Sequence, residues 1–319
     1  MQTTRNAGPA FSGRQFHNQP EASHIHGFLV ALWDGVREET SGRVDIRVCA
    51  RNDDISGSDP AALRMLVDGE LEFLTLMGGI LGQVVPVAEI QGVPFAFTGT
   101  DQVFATVDGP LGDYLNREML AKGIYAVPGA CFENGFRQIY GRDKPVRSAA
   151  DLEGYRMRIP DGRMFEEVFS ALGATPVVVN IKDLYSSLAT GLVDGQENAL
   201  VVHEVNRLYE VTRYLSVTNH MWSGFNLIAN LGFWKRLPAS IQDIICRHAR
   251  RRVAAQRAHT RSENEGALTR MQARGMTMNT AETESFRAML AGDFYRRWKA
   301  QFGSTAWALL EAQVGRLAV

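Results

Sequence analysis

Two arginines and one asparagine are the residues of this chain best suited, by type and setting, to chemistry on a small anion. Arg158 stands in YRMRIP, at the end of an apolar strand just before Pro160. A guanidinium is always charged, and its planar fork matches the two oxygens of a carboxylate. At the carboxyl end of a strand facing a cleft it would be a carboxylate clamp; the alternative is a surface arginine paired with a nearby acid. Arg137, in ENGFRQIY, either turns a second positive charge toward the same cleft or sits solvated on its strand. The stretch GLVDGQENAL at 191–200 crowds Asp194, Gln196, Glu197 and Asn198 together. It is either a solvated turn or the rim of a polar pocket, in which Asn198 would offer both a donor and an acceptor. Trp222 and Phe225 could wall such a pocket with flat apolar surface, or belong to the core between lobes.

Other chemistries find little support. MGGILG (77–82) resembles a glycine-rich phosphate loop, but it lacks the Walker lysine and the Gly-x-Gly-x-x-Gly order. A helix start with free N–H groups near a ligand is the fairer reading. HIH (24–26) has poor metal spacing and no third ligand. The arginine run from Arg247 to Arg261 lies on a predicted helix with Glu263 and Glu265 nearby, which suits a solvated face. No G-x-S-x-G, H-E-x-x-H or nucleophile–base pair occurs. Asp161, Asp194 and Glu197 are the acids near the arginines, and each reads as structural. No catalytic residue, metal site or cofactor is expected.

The totals are those of an ordinary globular chain: 319 residues, 45% hydrophobic and 22% charged, enough for about two domains. A net charge of −1, from 34 basic and 35 acidic residues, gives nothing to recruit nucleic acid or an acidic membrane. Cys49, Cys131 and Cys246 are too few and scattered for a disulfide framework. No apolar run of about 20 residues exists to span a bilayer. The start, MQTTRNAGPAFSG, lacks an apolar signal segment, so the chain is either cytoplasmic or a processed form with an added Met.

The elements that must position these residues alternate. After a loose first dozen residues, Arg14–His17 is a strand running into a polar turn at Asn18–Ser23. Gly27–Glu39 is a helix, Arg43–Val48 a strand, Pro60–Asp68 a helix and Leu71–Met77 a buried strand. A second set follows: strand Arg156–Ile159, helix Met164–Leu172, strand Pro176–Val179, helix Lys182–Thr190 ended by Gly191, and strand Leu192–Val193. The cluster in QEN would then sit at the carboxyl end of that last strand, where open α/β sheets bind ligands. Extended crossings at Gly123–Tyr140 and Tyr214–Phe233 join the two halves as a hinge with a cleft between. From Pro238 the chain reads helical to its end. The expected class is α/β, two-lobed, with hinge strands crossing between lobes and C-terminal helices. Lobe I takes 1–134 plus 224–262, and lobe II takes 135–223 plus 263–319.

The segment YRMRIPDGRMFEEVFSALGATPVVVNIKDLYSSLATGLVDGQEN resembles the signature of the TRAP (tripartite ATP-independent periplasmic) transporter substrate-binding proteins, the DctP-like family. ENGFR, GVPFAF, YEVTRYLSVTNH and LPASIQ extend the similarity over nearly the whole chain from about Arg14. The resemblance implies a periplasmic protein, not an enzyme, that closes on an organic acid and delivers it to the TRAP permease membrane subunits. It puts the carboxylate clamp on Arg158, and further ligand contacts on Arg137, Asn198, Asn18, Met77, Ile181, Trp222 and Phe225. Ala199 replaces the usual proline after Gln-Glu-Asn, and Leu184 the usual valine before Tyr185. Met77 stands where sugar-acid binders carry an acid. With Ile181, Trp222 and Phe225 it suggests a monocarboxylate with an apolar or aromatic body, for instance a 2-oxo or hydroxy acid, because an apolar wall would desolvate the hydroxyls of a sugar. An α/β enzyme or a sensor-type ligand-binding domain using the same cleft are the rival readings.

Overall fold

The computed structural model describes residues 9–52, 55 and 58–317; residues 1–8 of the loose N-terminal segment lie outside them. Strands are β1 Phe11–Phe16, β2 Val44–Cys49, β3 Phe73–Met77, β4 Ile124–Gly141, β5 Arg156–Ile159, β6 Thr175–Val178, β7 Gly195–Ala199, β8 Tyr214–Asn230 and β9 Thr277–Thr280. Helices in the first half are α1 His24–Glu39, α2 Ser58–Asp68, α3 Gly78–Leu81, α4 Thr100–Val107 and α5 Pro110–Leu120. Next come α6 Arg163–Ala171, α7 Leu184–Thr190, α8 Leu200–Val205, α9 Leu231–Arg236 and the long α10 Ala239–Ala273. The chain ends in α11 Thr283–Leu290, α12 Asp293–Phe302 and α13 Ser304–Val314.

The nine strands of the described residues form one sheet, in the order β2-β1-β3-β8-β4-β7-β5-β6, with β9 added alongside β8. Parallel β2-β1-β3 makes one half and parallel β7-β5-β6 the other. The two long strands β4 and β8, of 18 and 17 residues, pair antiparallel down the middle and belong to both halves. Their ladder is broken by register shifts between Ala126/Cys131, Glu133/Gly135 and Arg137/Ile139, irregularities that let a long ribbon bend where the halves meet. This is the expected α/β class with two crossing strands. Among the described residues no helix is long and apolar enough to cross a membrane.

Local rules account for most of the elements. In α1, Ile25, Leu29, Leu32, Trp33 and Val36 recur at helical spacing and are buried, and the Ser23 side chain accepts from the His26 N–H to cap it. Gly191, at φ +78, ends α7 in the left-handed conformation that only glycine adopts without strain.

Two expectations fail. Leu192–Val193 is not a strand; Leu192 is half exposed, and the strand is Gly195–Ala199, buried throughout. The polar residues are therefore the strand itself rather than its carboxyl end. Hydrophobic periodicity misses it because its side chains are satisfied by hydrogen bonds: Gln196 to His203 and Glu197 to Arg137. The C-terminal region is also not wholly helical. Gly275, at φ +88, ends the turn after α10, and β9 then joins β8 in parallel.

Candidate functional site

The cavity of interest lies between the halves, with about 80 Å³ of room. From the first half come Asn18 and Gln19 in the turn after β1, Ser58 and Asp59 at the start of α2, and Met77 at the end of β3. From the second come Arg158, Pro160 and Asp161 at and beyond the end of β5, Val178 at the end of β6 with Asn180 and Ile181 just after it, Asn198 of β7 and Val202 of α8. The central strands add Asn134 and Arg137 from β4 and Phe225 from β8.

Arg158 is buried, at 2% exposure. Its Nε donates to the Val179 carbonyl at 2.8 Å, which fixes the side chain. Among the described residues neither of its terminal nitrogens has a hydrogen-bond partner and no acid forms an ion pair with it. Burial, with Arg137 adding repulsion, lowers its pKa from 12.5 to about 10 against the attraction of Glu197 and Asp59. It remains a cation at neutral pH. A buried fork with two idle donors is a binding group for an anion.

Arg137 behaves otherwise. It is equally buried, but it is already paired: Nε meets one Glu197 oxygen, and Nη2 donates to the other at 2.7 Å and to the Glu197 carbonyl at 3.1 Å. Nη1 donates to Ser223 Oγ at 3.2 Å and lies 3.7 Å from the Met77 sulfur. The Phe165 ring lies under it, 5.1 Å from centroid to guanidinium carbon. Burial alone would raise the Glu197 pKa, but Arg137 and the His220 ring hold it down to about 2. The second positive charge expected at the cleft is thus cancelled within the protein. Arg137 lines the cavity as half of a neutral pair.

Asp59 was not singled out in sequence, where the expected helix began one residue later at Pro60; it lies in the first turn of α2. It is 5% exposed, and its two oxygens accept from Asn18 Nδ2 at 2.8 Å and Asn52 Nδ2 at 2.7 Å. Burial raises its pKa, partly offset by those hydrogen bonds and by the field of Arg158. Asn18 is held between Asp59 and the Gln19 side chain, which donates to Asn18 Oδ1 at 2.8 Å. Asn198 accepts from the Ala199 N–H at 3.1 Å. Asn134, bonded to Ser223 at 2.9 Å, and Asn180, which caps the turn before α7, also went unremarked in sequence.

Seven of the eight residues picked out in sequence line this cavity: Asn18, Met77, Arg137, Arg158, Ile181, Asn198 and Phe225. Trp222 does not. Successive residues of a strand face opposite sides of a sheet, so Ser223 and Phe225 take the cavity side and Trp222 the other. Its indole lies across Gly224, where a Cβ would come within 2.2 Å of the ring, and packs edge-on to Phe97 and Phe104. MGGILG is likewise no ligand loop; only Met77 of it reaches this cavity.

Comparison with known proteins gives one consistent answer. The profile of DctP, described as bacterial extracellular solute-binding protein, family 7, matches residues 16–300. The uncharacterized protein y4mM of Sinorhizobium fredii is 35% identical over 187 residues, a match that takes in 59% of this chain and 34% of that protein. A TRAP periplasmic solute-binding protein from Polaromonas, solved with bound D-erythronate, superposes with a TM-score of 0.89 at 25% identity, over 95% of this chain and 98% of that one. A TRAP periplasmic solute-binding protein from Ralstonia eutropha, solved with (S)-2-hydroxy-2-methyl-3-oxobutanoate, has a TM-score of 0.90 at 21% identity, over 95% and 98% of the two chains.

Proposed function

This chain belongs to the bacterial extracellular solute-binding proteins of family 7, the DctP family, and from that membership we propose that it captures a small carboxylate between its halves and passes it to a TRAP membrane permease. It is a periplasmic TRAP solute-binding protein, not an enzyme. The observation that carries the ligand class is Arg158: a buried cation, pinned by one hydrogen bond to Val179, with both terminal nitrogens idle inside an interlobe cavity. The lobes proposed are 1–134 with 224–262 and 135–223 with 263–319. In this division α12 and α13 strap back onto the first lobe, where α13 meets α4 and α5.

Mechanistically, a carboxylate on Arg158 supplies the counter-charge that the protein withholds. The groups around it come from both lobes, so the anion interacts fully only when the lobes are together and shifts the population toward closure. Asp59 refines the ligand. Once the carboxylate has met Arg158, the Asp59 carboxylate faces the remainder of the ligand from the opposite lobe and prefers a donor there. Met77, Val178, Ile181, Val202 and Phe225 leave an apolar flank, and Trp222 no longer contributes to it. The ligand is a small monocarboxylate carrying a hydroxyl and a short apolar body, a 2-hydroxy acid by preference. Neighbouring structures are solved with D-erythronate, with (S)-2-hydroxy-2-methyl-3-oxobutanoate and with hexuronates such as D-glucuronate. A carboxylate is what these ligands share, and the small apolar body rests on the cavity lining alone.

A thermal-shift panel of carboxylic acids tests this. Short branched 2-hydroxy acids should raise the melting temperature most. A larger shift with D-glucuronate than with any of them would overturn the apolar flank, and no shift with any acid would overturn carboxylate capture. Asp59→Asn should weaken a 2-hydroxy acid by roughly 10- to 100-fold, the range of a hydrogen bond to a charged group, while leaving its deoxy analogue nearly unaffected. Equal losses for both, read by calorimetry, would remove the hydroxyl from Asp59.

A further inference from the structure

The glycines of MGGILG and one buried acid, none of them used by the ligand cavity, meet at a second junction between the halves. Glu89 lies in the 3-10 turn Pro86–Gly92, which packs on α3 and α5 of the first half, on the central β8, and under the strapping α12 and α13. It is 3% exposed. Its Oε2 accepts from the Met164 N–H at 2.7 Å. Met164 is the second residue of α6 in the other half, and the N-cap of α6 is Gly162, which supplies no side-chain cap. The first turn of a helix leaves N–H groups without internal partners. Here one of them is satisfied from across the cleft.

The approach is too close for side chains. A Cβ on Gly82 would fall 2.3 Å from Glu89 Cγ, and one on Gly79 would fall 2.5 Å from the Phe165 ring of α6. A Cβ on Gly162 would lie 3.0 Å from the Gly79 carbonyl. The glycine-rich stretch is therefore what lets a loop of one half lie against the start of α6. Between this junction and Met77 there is a space of only about 10 Å³, room for a single water at most. β5, which carries Arg158, leads through Pro160 and Asp161 directly into α6.

We propose that Glu89 is an interlobe latch: capping α6 from the opposite half, it holds the closed form and with it the position of Arg158 against the bound carboxylate. Glu89 is thus a positioning residue, and its role in ligand retention rests on the carboxylate-capture reading above. The latch carries a proton linkage. Burial raises the Glu89 pKa from 4.5 to about 7, with the Met164 N–H and Arg163 lowering it and Glu167 raising it. The charged groups around it are Arg163 and Glu167 on α6, with Arg297 and Asp293 of α12 behind them; the segment 78–92 carries no other titratable residue. Opening the cleft returns the carboxyl to water and to its ordinary value. Between those two values the closed form binds more protons than the open one, so closure weakens as pH rises toward about 7 and is level above it. A protonated carboxyl still accepts from Met164 through its carbonyl oxygen.

Amide hydrogen exchange at Met164 tests the latch without any ligand. In Glu89→Ala exchange there should be about tenfold faster or more, the loss of one hydrogen bond of about 1.4 kcal/mol, while Glu89→Gln, which keeps an acceptor oxygen, retains protection. Unchanged exchange in Glu89→Ala overturns the proposal. With 2-hydroxy-3-methylbutanoate as probe, Glu89→Ala should bind more weakly and release faster. The affinity of the unsubstituted protein should fall, by at most about tenfold per pH unit, between about pH 5 and about pH 7. Glu89→Gln should flatten that profile, leaving only what Asp59 contributes. A slope that survives Glu89→Gln intact overturns the linkage. Failure of the probe to bind the unsubstituted protein counts against the ligand reading alone, because the exchange result stands without it.

Discussion

Arg158→Ala is expected to lose measurable affinity for every carboxylate while leaving the ligand-free protein as stable as before, or more so. With no anion present, Arg158 is an uncompensated cation. It is buried, its terminal nitrogens have no partner among the described residues, and its guanidinium is held at a pKa near 10 chiefly by the cost of desolvating its charge. A cation in that position stores unfavourable energy that only an anion relieves. Truncation removes the stored cost together with the binding group. One carbonyl, that of Val179, loses its donor, a penalty of about 1 kcal/mol that the released charge offsets. On the ligand side, removing one partner of a buried, hydrogen-bonded charge pair costs roughly 2–5 kcal/mol, which is about 30- to 5000-fold in affinity. Arg158→Lys should fail nearly as badly, since a point charge cannot offer two parallel N–H donors. Calorimetry and melting temperature together decide it. An affinity within about threefold of the unsubstituted protein, or a large drop in ligand-free melting temperature, would move Arg158 from binding to structure.

What the sequence made legible divides along a physical line. Several elements held by apolar burial were found within a few residues, as with Leu29, Leu32, Trp33 and Val36 on α1, although that helix begins three residues earlier and buries Ile25. α4 and α5 were passed over despite buried Val103, Leu111 and Leu115. β7 was missed because it is held by polar partners: a strand of Gly, Gln, Glu, Asn and Ala carries no hydrophobic period, and only Arg137 on β4 explains why Glu197 can be buried there. The resemblance put Trp222 at the ligand, whereas the residue alone left core between the lobes equally open, and core is where it lies. The bulged register of β4 against β8 decides which face it takes, and that register is a property of two strands rather than one. Asp59 escaped for a related reason. It fell just outside the expected helix at Pro60–Asp68, and nothing local says that Asn18, 41 residues earlier, will meet it. The glycines of MGGILG were noticed for the wrong partner. Their spacing suggested an approach to a ligand, whereas the backbone they expose meets Glu89 and Phe165.

The opposite behaviour is expected of the second arginine, and the contrast tests whether the two have been told apart correctly. Arg137→Ala should destabilise the protein by about 3–5 kcal/mol, because it strands Glu197, fully buried, without its counter-ion. In the unsubstituted protein the Glu197 pKa is held near 2, below its ordinary 4.5. Its contribution to stability is therefore present above about pH 4.5 and disappears as the pH falls toward 2. Without Arg137 the order reverses. Burial, no longer opposed by the guanidinium, lifts the Glu197 pKa above its ordinary value, for His220 at 3.4 Å is itself kept neutral by burial. The variant should then gain more stability on mild acidification than its parent, in which only the other buried acids, Glu89 and Asp59 among them, gain. Adding Glu197→Gln to Arg137→Ala removes the stranded charge, so the double variant should be more stable than the single one and fall back to the acid response of the parent. Denaturant unfolding at neutral and mildly acidic pH reads all three. If Arg137→Ala were no less stable than its parent while losing ligand affinity like Arg158→Ala, the pair with Glu197 would not be what holds these strands together. Arg137 would then be a second clamp, and the cleft would present two free cations to its anion rather than one.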